Sequence, residues 1–161
     1  MKKLFLLLAL FCLTTSIQAQ EAYKTLRSKA IQAVENPDTD LMLKKFNQFK
    51  VDALDYMVMK MREVMPDSSV AFLDKEAIAM NNFMTLYLQT LLKSRNEPAA
   101  YQVKLIKLFM DASYSNPLFH DDDAELVLSY FSDGNSVTRF SLDTDWRIAF
   151  IAVATELKKM K

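Results

Sequence analysis

Gly134 is the only glycine in 161 residues, and that scarcity restricts the possible folds more than any other feature of the chain. Sheet proteins place glycine at hairpin turns and bulges that need unusual backbone angles. Phosphate-cradling loops use it where backbone must come close to a ligand. Neither device can be built here in its usual form. With ten methionines and abundant Leu and Ala, the sequence favours helix. The four prolines, at 37, 66, 98 and 117, fall as punctuation between helices. The expected fold is all-α: a single compact domain of about six helices over 20–161, packed as an irregular antiparallel bundle.

Apolar spacing places the individual helices. Residues 21 to 35 carry Ala22, Leu26, Ala30, Ala33 and Val34 near one face, and Asn36-Pro37-Asp38 breaks the run. Thr39 or Asp40 then caps a helix to about Met65, with Met42, Phe46, Phe49, Ala53, Met57, Met61 and Val64 at three- and four-residue intervals. The next helix is expected to begin near Asp74, with Glu76 in its first turn, where negative charge suits the dipole. Its stripe of Ala77, Met80, Met84, Tyr87 and Leu91 is widened by Ile78, Phe83, Leu86 and Leu92 to most of the circumference, which marks it as the buried centre. Pro98 suits the first turn of a helix carrying Val103, Ile106, Phe109, Met110 and Ser113. A short helix over 121–130 and an irregular stretch over 137–142 follow. Asp143 or Thr144 caps the last helix, which would bury Trp146, Ala149, Phe150, Val153 and Leu157.

The N-terminus reads as an export signal. Lys2 and Lys3 precede the uncharged run Leu4 to Leu13, and Ile17-Gln18-Ala19 sets a small residue before Gln20. This is the layout of a secretory signal peptide over 1–19, cut between Ala19 and Gln20. The run is about ten residues, whereas a membrane span needs roughly twenty; an uncleaved tether over 4–17 is the weaker alternative. The expected location is periplasmic or extracellular, with no membrane span after signal removal. Cys12, the only cysteine, lies inside the signal and follows Phe11, where lipid attachment wants a small residue. A cysteine-free mature chain cannot use disulfides, so packing must supply its stability. Loss of Lys2 and Lys3 would take the formal charge from 0 to −2, which gives no overall drive toward nucleic acid or an anionic membrane.

Chemistry-bearing clusters are few. His120-Asp121-Asp122-Asp123 is the densest, and its carboxylates suit calcium or magnesium. The spacing is not that of an EF-hand, and three consecutive acids cannot converge on one ion from a helix. The same residues would serve as a helix N-terminus with its favoured charges. His120 is the sole histidine, hence the sole imidazole base for a Ser-His-Asp arrangement with Ser113, Ser115 or Ser136. No Gly-x-Ser-x-Gly elbow surrounds any serine. Met57, Met59 and Met61 resemble a Cu(I) motif, but Met59 falls on the opposite helical face, which favours core packing. Asp133, Asp143 and Asp145 could pair as glycosidase carboxylates or act as caps. Trp146 is either the buried anchor of the last helix or a surface aromatic for a sugar or protein. The sequence names no catalytic residue and calls for no cofactor. Its only metal candidates are His120, Asp121, Asp122 and Asp123.

At Asn47-Gln48-Phe49-Lys50-Val51, Phe109-Met110-Asp111-Ala112-Ser113, Asn116-Pro117-Leu118-Phe119 and Phe140-Ser141-Leu142-Asp143-Thr144-Asp145-Trp146, the chain resembles an uncharacterised family of exported all-helical proteins of Bacteroides-type bacteria. The resemblance implies export and brings no catalytic or binding residue with it.

Two roles follow. The favoured one is a non-enzymatic exported module that binds a protein partner or another component of the cell envelope through an uncovered apolar face. The other is a periplasmic hydrolase, or a small-ligand or cation carrier, built from Asp121, Asp122, Asp133, Asp143 and Asp145. That role requires those acids to line one concave pocket.

Overall fold

Asp40 performs the capping that its position suggests: its Oδ1 accepts the Met42 N–H at 2.8 Å and starts α2 (Leu41–Val64). Before it, α1 (22–35) ends at Asn36-Pro37. After it come α3 (Val70–Ser94), α4 (Ala99–Ser115), the single turns α5 (Ala124–Val127) and α6 (Ser129–Ser132), and α7 (Trp146–Lys159). The computed structural model describes residues 22–67, 70–134 and 136–160. The signal-peptide reading of 1–19, with Ala19 and Gln20, lies outside them. Among the described residues there is no strand, only an isolated antiparallel bridge between Pro117 and Thr144. No described helix is long and apolar enough to cross a membrane. The domain is all-α.

In the bundle, α3 packs against α2, α4 and α7, and α4 packs against α7. Aromatic rings make the joint. Phe83 on α3 has Phe109 of α4 at 5.2 Å, Phe140 at 5.2 Å and Trp146 of α7 at 5.4 Å, all near edge-to-face. From α2, Phe49 reaches Phe140 and Trp146 at 5.7 and 5.9 Å. Tyr87 closes on Phe109 and Phe140 at 5.0 and 4.9 Å. Edge-to-face placement sets the positive edge of one ring on the negative face of another, worth about 0.5–1.5 kcal/mol per pair beyond burial. Trp146 is fully buried, so its role as the anchor of α7 holds. The peripheral elements are tied by polar bonds. Arg27 of α1 grips Asp55 of α2 through Nε and Nη2 at 2.6 and 2.8 Å, and the Tyr130 hydroxyl of α6 donates to Asp52 of α2.

Several expected faces differ from those observed. The central helix begins at Val70, which puts Asp74 and Glu76 in its interior and not in its first turn. It is not buried all round, since Ile78 and Leu92 are 45% and 54% exposed; the helices packed on it cover an arc, not a circumference. On α4 the buried face is Leu105, Phe109, Ala112 and Ser113, while Val103 is exposed. Met42 and Val64 are exposed in the terminal turns of α2. The expected helix over 121–130 is split into α5 and α6. Asp121 is held back by bonds to Tyr56 and Asp143, so helix starts only at the Asp123 cap. Asp145, not Asp143 or Thr144, caps α7, accepting the Ile148 N–H at 3.0 Å.

The ring cluster carries a direct prediction. Phe83→Ala or Phe140→Ala should lower unfolding free energy in urea by about 3–5 kcal/mol. Ile78→Ala on the same helix should stay within about 0.5 kcal/mol of the parent.

Candidate functional site

Asp121, Asp123, Asp143 and Asp145 are used as internal acceptors. Asp121 Oδ2 accepts from the Tyr56 hydroxyl at 2.7 Å and from Lys60 Nζ at 3.0 Å, and its Oδ1 accepts the Asp123 N–H at 3.0 Å. Burial works against the charged Asp121, but these bonds from Asp123, Tyr56 and Lys60 outweigh it and hold the carboxyl below its usual range. Burial first, then the bond to Asp121, pushes the Tyr56 phenol well above its ordinary value. Buried Asp143 accepts the N–H groups of Phe119 and Asp121 at 2.6 and 2.8 Å. Asp123 caps α5 through Leu126 N–H at 3.0 Å. Asp122 is exposed, and so is His120, which adopts φ +50°. Among the described residues, no three His, Cys, Asp or Glu side chains come together as a metal site requires. Asp133 follows α6 and its carbonyl accepts from Ser136 N–H at 3.1 Å. None of Asp121, Asp122, Asp133, Asp143 and Asp145 lines any of four well-formed clefts among the described residues.

The other sequence candidates are also occupied structurally. Ser113 Oγ lies 2.6 Å from Thr144 Oγ1 and accepts the Ser141 N–H at 2.9 Å, a buried knot beneath Phe140. Ser136 Oγ is 3.1 Å from Thr138 Oγ1, and Ser115 is exposed at the end of α4. Met57 and Met61 are buried while Met59 is exposed, as a single helical face demands.

Glu76 is a residue whose position the sequence reading missed. It is 1% exposed, yet its Oε2 accepts the Trp146 N–H at 3.0 Å and its Oε1 stands 3.9 Å from Arg147 Nε. A carboxylate from the middle of α3 therefore serves the N-terminus of α7. Burial chiefly, and then the Asp145 charge, push Glu76 up to about 7 against the opposing pull of the Trp146 and Arg147 N–H groups and the Arg147 charge. Asp74 behaves in parallel, accepting the Tyr23 N–H of α1 at 2.9 Å. Its Oδ2 and Trp146 Nε1 are buried without a hydrogen-bond partner among the described residues. The signal was present in the spacing, because 76, 80, 83 and 87 form one stripe. Glu76 is an acid in register with Met80, Phe83 and Tyr87.

Farther along α3, the same periodicity opens a cleft of about 460 Å³. Leu86, Thr90, Lys93 and Ser94 face it from α3, at intervals of four, three and one. Phe150, Ala154, Leu157 and Lys158 face it from α7 at the same intervals, and Tyr101 and Leu105 supply one stripe of α4. Leu105 is buried, and Leu86, Phe150 and Leu157 are half-buried, so the floor is apolar. Its rim carries Lys93, Glu97 and Lys158. The α3–α4 connection is held in place by Gln102, whose Nε2 donates to the Glu97 carbonyl at 2.7 Å. Ser94 donates to the Leu91 carbonyl at 3.3 Å, and no histidine is present to activate it. A concave apolar floor of this volume with a few polar groups at its edge can hold a small ligand. Comparison with protein-family models, with curated proteins and with solved structures finds no match for the chain.

Glu76 makes stability depend on pH with a definite sign. Its folded value of about 7 exceeds the ordinary 4.5, so its contribution is fully present below pH 4.5 and lost as pH rises through 7. Glu76→Gln removes that titration. The stability of the parent relative to this variant should fall by roughly 3 kcal/mol across that window, read from urea unfolding at each pH.

Proposed function

We propose that the chain is a non-enzymatic binding module of the cell envelope that works through the cleft between α3, α4 and α7. The observation that carries this reading is the apolar floor of Leu86, Leu105, Phe150 and Leu157 left open at the surface. Asp121, Asp143 and Asp145 are bonded within the fold instead of serving a hydrolytic or cation site, and neither Asp122 nor Asp133 lines this cleft. The Ser94 hydroxyl in the cleft donates to the Leu91 carbonyl and no histidine lines the cleft, which favours holding a molecule over cleaving one. The signal-like layout of residues 1–19, and the resemblance to exported helical proteins of Bacteroides-type bacteria, support a periplasmic or extracellular location.

Native mass spectrometry of the protein recovered from the cells that make it tests both parts. A chain beginning at Gln20 that carries a small molecule released on denaturation is the expected result. The Ala154→Trp variant, which fills the cleft from the α7 side, should come from the same cells without that molecule. A chain beginning at Met1 would overturn the location, and a molecule retained by Ala154→Trp would overturn the cleft.

A further inference from the structure

We infer that the cleft takes an amphipathic anion, a free long-chain carboxylate whose head lies at Lys93 and Lys158 and whose chain lies on Leu86, Leu105, Phe150 and Leu157. This rests on the cleft being the binding site and adds the class of its ligand. The floor offers carbon surface from three helices, which suits an alkyl chain and gives a sugar or nucleotide too few polar partners. The charged groups are confined to the rim, where two ammonium groups stand against one carboxylate, Glu97. Lys60, Lys107 and Lys159 are each committed to a neighbouring acid at 2.6–3.0 Å. Neither Lys93 nor Lys158 forms an ion pair among the described residues. They come from the last turns of two different helices and both line this cleft. An apolar floor beneath an uncommitted, net-positive rim is complementary to one negative head on an apolar body. It repels a cationic head and leaves a neutral one unrewarded.

Calorimetric titration of the full chain with octanoate, dodecanoate and hexadecanoate, beside dodecanol and dodecyltrimethylammonium, tests the assignment. Affinity for the carboxylates should rise by up to roughly fourfold per added methylene until the floor is covered. The ammonium analogue should bind more weakly than dodecanoate. Replacing both rim lysines, K93Q with K158Q, should weaken dodecanoate roughly tenfold and leave dodecanol unchanged. Glu97→Gln should strengthen dodecanoate. These three positions are exposed, so the variants retain the fold, which circular dichroism verifies. Equal binding of the ammonium analogue, or no effect of the lysine replacements, would overturn the head-group assignment while leaving the cleft as the site. Failure of every alkyl probe would overturn the ligand class, and the cell-derived molecule lost in Ala154→Trp would still stand for the cleft. Probe binding that survives Ala154→Trp would overturn the cleft and this inference together.

Discussion

The contact between Phe83 and three other rings is what the rest of the structure depends on. Phe109, Phe140 and Trp146 come from α4, an irregular loop and α7, and each meets Phe83 within 5.4 Å. Close approach of that loop to the core brings polar backbone into an apolar interior, which is costly unless every donor finds a partner. The Ser113 hydroxyl accepts the Ser141 N–H, the Ser141 hydroxyl accepts the Asp143 N–H and the Thr144 hydroxyl donates to the Ser141 carbonyl. The Asp143 carboxylate ties the loop to the N–H groups of Phe119 and Asp121. Ring cluster and polar knot are therefore one unit. The rings hold the loop inside, and the hydroxyls satisfy the backbone it brings with it.

Features that depend on near neighbours in sequence were legible. The breaks at Asn36-Pro37 and Pro98, the Asp40 cap, the stripe from Phe46 to Met61 and the burial of Trp146 all follow from residues within a turn or two of one another. What was not legible depends on partners far along the chain. Asp74 and Glu76 do serve helix N-termini, as acids near a helix start are expected to, but those of α1 and α7, 51 and 70 residues away. A cap read from sequence assumes that the nearest helix is the one being capped. Asp143, with Thr144 a cap candidate on similar grounds, instead accepts from two donors 22 and 24 residues back.

The cleft was illegible for a different reason. Its residues show the ordinary spacing of core positions on α3 and α7, and nothing in a one-dimensional stripe says whether the facing helices will close over it. Leu105 and Phe109, one turn apart on α4, illustrate the point. Phe109 is enclosed by rings, while Leu105 lies at the floor of an open space. Only the bulk of the opposing side chains separates a filled interior from a vacancy: Phe83 and Tyr87 at one level, Thr90 and Ala154 at the next.

The scarcity of glycine has a counterpart in the backbone. Among the described residues, the one left-handed position is His120, at φ +50°, and not Gly134. Gly134 lies in open space, with no atom nearer than 4.0 Å to where a side chain would begin. No described turn of this fold therefore needs the residue that most folds reserve for their tightest bends. Since the described residues also lack cysteine, their architecture can be written in an alphabet of eighteen letters. A chain so composed has fewer backbone conformations to surrender on folding than a glycine-rich one, an entropic advantage that acts in the unfolded ensemble and leaves no trace among the native contacts.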